Sequence, residues 1–328
     1  MVAPVLVVGR QGQVASALQR LAPVVLPQRP LVVVGRPELD LAQATAEEIE
    51  RSAPSPCSLQ WAALLERHQP ALVINAAAYT AVDRAESEPV LAMAINGHAV
   101  GVMARACGDH EIPLVHLSSD YVFDGRGERP WTPGDLTGPL GVYGASKLLG
   151  ERVLQRACQT CGLRGLVLRV SWVFGQQGSN FVSTMLRLAA ERDELKVVAD
   201  QVGGPTAAES IARALLQLVE PAIAHRHPVR GVAEGFPWGL HHLQGQPVVS
   251  WHGFAEEIIR QAVQQKRLER APVVIPISTA EFPTPAQRPA NSRLDCSSAQ
   301  QELGLELPAW RDDLHQFLLA TAVPSVSA

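Results

Sequence analysis

Five short apolar runs restrict the fold of this chain more than anything else in its sequence. They are Val5 to Val8, Leu31 to Val34, Leu72 to Asn75, Leu114 to Leu117 and Gly165 to Val170. Each has the length of a strand, and none alternates with polar residues as a strand with one wet face would. Between them lie segments with helical character: up to Leu21, residues 43 to 70 with an interruption at Pro54-Ser-Pro56, Asp83 to Cys107, and from Tyr143 to about Cys158. The order β-α-β-α-β-α-β-α-β predicts an α/β fold, a doubly wound parallel sheet of the Rossmann type.

The first run opens into Gly9-Arg-Gln-Gly12-Gln13-Val14-Ala15. Strand, glycine turn and helix is the arrangement in which backbone N–H groups at a helix N-terminus face a pyrophosphate. The spacing G-x-x-G-x-x-A is a loose form of the dinucleotide fingerprint, and alone it reads equally as a tight strand-to-helix turn. The second run favours the dinucleotide reading, because it sits where a β-α-β unit places its second strand. Where NAD-specific sites usually carry an acid, this chain has Gly35-Arg36, and an arginine there accepts a 2′-phosphate. NADP(H) is therefore expected over NAD(H), which stays open; the plain alternative is a solvated loop arginine. Asp40 and Leu41 follow as contacts for the adenine end. The small residues Ala76-Ala77-Ala78, ahead of Tyr79-Thr80, would let a flat ligand approach the backbone.

The chemistry is expected between Leu117 and Glu151. Tyr143 and Lys147 stand four apart, on one helix face. The chain has three tyrosines (79, 121, 143) and three lysines (147, 196, 266), its other basic residues being arginine, so the spacing is unlikely to be chance. A phenol titrates at about 10, and a fixed cation beside it favours the phenolate and lowers that value. Ser118 or Ser119, at the end of the fourth run, could hold a carbonyl oxygen within reach. The trio would make an acid/base device for a ketone or an alcohol.

Other classes are disfavoured. The net charge of −4 leaves no basic excess for nucleic acid. No apolar run reaches the ~18 residues of a membrane span, and the start lacks the charged region of a signal peptide. Five cysteines, an odd number, suit reduced thiols in a cytoplasm, and Cys158-x-x-Cys161 alone is weak evidence for metal or redox work. His241 and His242 would point to opposite faces of a strand, and with His252 they offer no zinc spacing. No metal is predicted.

At this point the residues carry a family resemblance. The chain resembles the dTDP-4-dehydrorhamnose reductases, within the extended short-chain dehydrogenase/reductases. The matching pieces are Gly9 to Val14, Ile74 to Pro89, Leu117 to Gly125, Tyr143-Gly-Ala-Ser-Lys147, Arg169 to Gly175, Asn180-Phe181, Asp200 to Thr206 and Arg288-Pro-Ala-Asn-Ser-Arg-Leu294. They span nearly the whole chain in order. The resemblance implies NAD(P)H-dependent reduction at C4 of dTDP-4-dehydro-6-deoxy-L-mannose, giving dTDP-L-rhamnose. It implies Tyr143 as proton donor, Lys147 on the nicotinamide ribose, and Ser119, in the family's usual threonine position, on the keto oxygen. Gly9, Gly12, Gln13, Val14, Arg36, Asp40, Leu41, Ala76, Ala77, Ala78 and Thr80 would hold the cofactor together with Tyr143 and Lys147. Ser119, Asp120, Trp172 and Arg288 would touch the dTDP-linked keto sugar, and Arg293 is a further cation for a diphosphate or a carboxylate.

On this reading residues 1–173 form the cofactor domain, completed by a returning segment near 240–260 that includes the strand Leu240 to Leu243. Residues 174–328 form mainly a substrate lobe with fewer strands and more loops. The segment Glu234 to Gly239 looks like an insertion with Trp238 as a packed aromatic, and the tail after Leu319 is expected to fray. Some relatives are dimers bridged by Mg²⁺ through glutamates. A homodimer is therefore allowed, but Ala17 stands where one such glutamate is expected. Two other readings remain: a reductase of another nucleotide-linked 4-keto sugar, and a non-catalytic NADP-binding regulatory subunit, which would be free to lose the Tyr, Lys and hydroxyl trio.

Overall fold

The computed structural model describes residues 2–51, 55–224 and 235–320. Pro54, Glu234 and the tail from residue 321 lie outside them. Six parallel strands form the main sheet: β1 (Val5–Val8), β2 (Leu31–Val34), β3 (Leu72–Asn75), β4 (Leu114–Ser119), β5 (Gly165–Val170) and β6 (Gly239–Leu243). Their spatial order is β6-β5-β4-β3-β1-β2. The longer helices among the described residues are α1 (Gln13–Val25), α2 (Pro56–His68), α3 (Ala99–Asp109), α4 (Val142–Thr160), α5 (Phe181–Glu191), α6 (Ala208–Ala224), α7 (Trp251–Gln264) and α8 (Trp310–Ala320).

Sheet side chains alternate between two cores. Val5, Val7, Ile74, Leu166 and Leu168 pack beneath α1 and α6, whereas Leu6, Val8, Val73, Leu114 and Val167 pack beneath α2, α3 and α4. Burial on both faces is why the runs read as continuously apolar. Fully burying each such side chain contributes about 1.5–3 kcal/mol. From β1 the chain steps outward to β2 and then crosses back to β3 on the other side. The order therefore reverses between β1 and β3, and the crevice at their C-terminal ends is where sheets of this kind bind ligands.

Two expectations need correction. The segment Asp83 to Cys107 is not one helix: Val82–Ala85 ends, and Pro89, well suited to a first helical turn, starts another. From Pro89 to Asp109 the helix then continues through a π turn at Ala94–His98. This 21-residue stretch does have the length and composition of a membrane span. It is a core helix all the same, with 61% of the window buried and its side chains packed among those of α2 and α4.

The second half contains more strands than expected, all in small sheets. Val202–Gly203 pairs with Val249–Ser250 and Asn291–Ser292, Glu194–Val198 with Val273–Ile277, and Val173–Phe174 with Thr206–Ala207. Those of two residues are too short to leave a periodic signal in sequence; Glu194–Val198 and Val273–Ile277 have five residues each. Their core is aromatic, with Phe174, Phe254, Trp310 and Phe317 buried together. Trp238 packs on Phe236 against the first core, as a structural aromatic.

Candidate functional site

The glycine turn lies at the switch point. Gly9 has φ +117°, and a Cβ there would meet the Ala77 backbone nitrogen at 3.3 Å, so β1 and the loop after β3 approach as only glycine permits. Gly12 caps α1 without any side-chain hydrogen bond, and the first turn carries no acid. The N–H groups of that turn are thus available to an anion, which fits a dinucleotide's pyrophosphate. The Gln13 side chain turns to Asn180, accepting from its Nδ2 at 3.3 Å, and Val14 is buried in the core. Arg36 is exposed at the end of β2. Beside it Arg10, which the sequence did not single out, lies against Gly35 and pairs with Glu38 at 2.6 Å. Asp40 caps the short turn Leu41–Gln43 through the Ala42 N–H, and Leu41 is buried. Ala76, Ala77 and Ala78 are half-buried and Thr80 is exposed, lining the loop after β3.

The catalytic candidates converge where β4 ends against the start of α4. Gly144 makes this possible, since a Cβ there would strike the Tyr121 carbonyl oxygen. Ser119 donates to Asp120 Oδ1 at 2.9 Å and accepts from the Tyr121 N–H at 3.2 Å. Tyr143 stands edge-on to Tyr121, 5.4 Å between ring centroids. Burial pushes its phenol up to about 12, and the Ser119 hydroxyl works in the opposite direction. The expected depression by Lys147 is not seen, because the lysine is engaged elsewhere. Its Nζ donates to the Leu117 carbonyl at 2.6 Å and lies 3.5 Å from His116 Nε2. Burial pushes this ammonium down to about 8, opposed by Glu151. Asp120 is pushed up to about 6 by burial, against the pull of the nearby Ser292 and Ser119 hydroxyls, of which Ser119 donates to it.

Beneath α4 runs a row of buried polar groups; Ser118 and His242 stood out in the sequence, but not His116 or Arg169 as their companions. His116 and Ser118 on β4, Arg169 on β5 and His242 on β6 all face the helix. Glu151, one turn after Lys147, receives Arg169 through two hydrogen bonds of 2.8 and 2.6 Å and the Ser118 hydroxyl at 2.5 Å. Arg169 also lies over the Phe123 ring, 4.8 Å from its centroid, and 3.4 Å from His242. Burial and Arg169 push His242 down to about 3, and its Nδ1 meets the Trp131 carbonyl at 3.1 Å. His241, on the other face, meets Ser298 and the Pro237 carbonyl. Asn96, in the π turn, uses its whole amide. It accepts from the Tyr79 N–H at 2.8 Å and donates to the Tyr79 carbonyl at 3.0 Å and to Ser146 at 2.9 Å. The loop after β3 and α4 are thereby tied together.

Trp172 comes from the stretch just after β5, and Arg288 from the second half. Trp172 adopts a left-handed φ of +46° and stacks on Trp251 at 3.6 Å. Arg288 binds Asp83 at 2.7 Å, while its other terminal nitrogen is buried without a partner. Asp83 also accepts from the Ala286 N–H, so the two halves meet here, beside Tyr121. Arg293 folds back onto Asn291 at 3.0 Å. Ala17 is fully buried on α1. The five cysteines are free thiols.

Comparison with known proteins gives a consistent picture. The model of the RmlD substrate binding domain family matches residues 3–323. A dTDP-4-dehydrorhamnose reductase of Burkholderia thailandensis is 41% identical over 309 residues, 94% of this chain and 95% of that protein. One of Sinorhizobium fredii is 40% identical over 314 residues, 96% of each. Among solved structures, a dTDP-4-dehydrorhamnose reductase from Bacillus anthracis in complex with NADP superposes with a TM-score of 0.81 at 29% identity. That match covers 98% of this chain and all of the other.

Proposed function

The chain belongs to the RmlD substrate binding domain family, and from that membership we propose that it reduces the C4 keto group of dTDP-4-dehydro-6-deoxy-L-mannose to give dTDP-L-rhamnose. The observation that carries the proposal is the meeting of Tyr143, Ser119 and Lys147 at the C-terminal end of β4, next to a glycine turn with open N–H groups. NADPH, when bound, supplies the hydride that reaches C4.

The chain's own residues do the rest. The first turn of α1 with Gly9 and Gly12 would hold the pyrophosphate, and Arg36 the 2′-phosphate. The loop Ala76 to Thr80 would pass along the cofactor, with Asp40 and Leu41 at the adenine end. A phenol held well above neutrality keeps its proton until a stronger base forms beside it. Tyr143 therefore gives its proton to the sugar oxygen as that oxygen becomes a hydroxyl. Ser119 orients the same oxygen, and Asp120, which holds the Ser119 hydroxyl at 2.9 Å, stands ready for a sugar hydroxyl. Trp172 offers a flat face to the sugar or base. The unpartnered nitrogen of Arg288 suits a diphosphate oxygen.

The test is the loss of NADPH absorbance when purified protein meets enzymatically generated dTDP-4-dehydro-6-deoxy-L-mannose. Tyr143→Phe should bind NADPH within about twofold of wild type and turn over 10²–10⁴-fold more slowly, the usual range for a lost general acid. Equal turnover by both proteins would remove Tyr143 from its role. No oxidation by wild type, with NADPH still bound, would move the substrate to another keto sugar.

A further inference from the structure

His116 has no part in the chemistry above, yet it is fully buried, next to Lys147. Its surroundings decide where its proton sits. In the sheet register His116 on β4 is paired with Asn75 on β3. Asn75 Oδ1 accepts from the Ala77 N–H at 3.1 Å, which leaves its Nδ2 as the donor to His116 Nδ1 at 3.0 Å. A neutral imidazole carries one N–H, so an accepting Nδ1 puts that hydrogen on Nε2. Nε2 faces Lys147 Nζ at 3.5 Å.

A side chain of this kind cannot accept from an ammonium. The lysine's one strong acceptor here is the Leu117 carbonyl at 2.6 Å. We propose that Asn75 and His116 are positioning residues for Lys147: they aim an N–H at its Nζ, confine it to the Leu117 carbonyl, and disfavour its charged form. The line begins at the Ala77 N–H, within the loop assigned to the cofactor, so the proposal rests on the reductase reading of that loop and of Lys147.

The other groups facing Lys147 are accounted for. On α4, Tyr143 stands one turn before it and Glu151 one turn after. The Glu151 carboxylate favours the ammonium, but it already receives Arg169 of β5 twice and Ser118 once. Asn75 carries no charge. His116 is held neutral by burial and by the lysine itself. Burial is the main pressure against the ammonium and Glu151 opposes it, and the His116 N–H adds to the side of burial.

The experiment is long-range ¹H–¹⁵N spectroscopy of the full chain with labelled histidine, alongside the pH profile of kcat/KM. The His116 signal is identified by its loss in His116→Phe or, should that chain fail to fold, by its response to Asn75→Asp. Wild type should show Nε2 protonated and Nδ1 bare; a proton on Nδ1 would overturn the proposal whatever the activity. Asn75→Asp offers Nδ1 a carboxylate, so it should reverse the tautomer and turn the Nε2 lone pair toward Lys147. The basic limb should then move up by about one pH unit, a tenfold gain in proton affinity. A shifted limb with the tautomer unchanged would belong to the new charge alone and would also overturn it, as would a reversed tautomer with an unmoved limb. Failure of the reductase reading looks different: wild type would not turn over, and the spectrum would be unaffected.

Discussion

At the C-terminal ends of its central strands, the two faces of the main sheet are built on opposite terms. Under α1 and α6 the side chains Val7, Ile74, Leu117, Leu168 and Val170 form an apolar layer, with His241 at the edge strand. Under α4, at the C-terminal ends of the same strands, stand Asn75, His116, Ser118, Arg169 and His242, with Lys147 and Glu151 above them. One face is held by area removed from water and tolerates rearrangement. The other has its own apolar core under α2 and α3, but at this end it is held by directed bonds between groups that have no water to fall back on, so each depends on its partner. The two apolar cores make a domain; the polar row places a phenol, a serine and an amine.

The sharpest way to break this contrast is to remove one charge of the buried pair. Glu151→Ala strands the Arg169 guanidinium, both side chains being less than 8% exposed, and should cost about 3–5 kcal/mol in urea unfolding. Glu151→Met with Arg169→Leu should recover much of that stability. If the single change costs under 1 kcal/mol, the polar face is not interdependent. Asn96→Ala should come next, about 2–3 kcal/mol for groups left unsatisfied at Tyr79 and Ser146. Its turnover should fall further than its stability predicts.

Asp120 tests the polar face through pH. Its folded value of about 6 lies above the ordinary carboxyl value, so the folded state holds the proton more tightly. Stability is therefore lost as pH rises from about 4 to about 6, by up to about 2–3 kcal/mol. Asp120→Asn should be more stable than wild type at pH 7 and gain nothing at pH 3.5; a gain of equal size at both would exclude the carboxyl as its source. The smallest effect belongs to the exposed cofactor end. Arg36→Ala should weaken NADPH by about tenfold, or 1.4 kcal/mol, in a binding titration, leave NADH within about twofold, and leave unfolding unchanged. Equal weakening of both would return Arg36 to a solvated loop.

The same contrast governs what the sequence discloses. Burial on both sides wrote itself as five apolar runs, and a glycine turn after the first run located the switch point. Tyr143 and Lys147 were visible because helix geometry makes a spacing of four a contact. His116 was hidden inside one of those runs, Leu114 to Leu117, where it counted only as an interruption. Glu151 and Arg169 looked like ordinary charges, since a helix pattern reports which face is buried and not which residue on another strand lies opposite. Asn75 and His116 become partners only through strand register, which is a tertiary fact. Arg10 escaped because its approach to Gly35 depends on how the glycine turn folds over β2.

Asn96 has a consequence for how this protein can vary. Its amide spends one acceptor and both donors, each on a different group. Aspartate would set oxygens against the Tyr79 carbonyl, glutamine would overreach by a methylene, and serine or threonine could make one of the three bonds. Of twenty letters, one fits. In a randomised library selected for turnover, positions on the apolar face should drift among Val, Ile and Leu, whereas codon 96 should come back as asparagine from nearly every survivor.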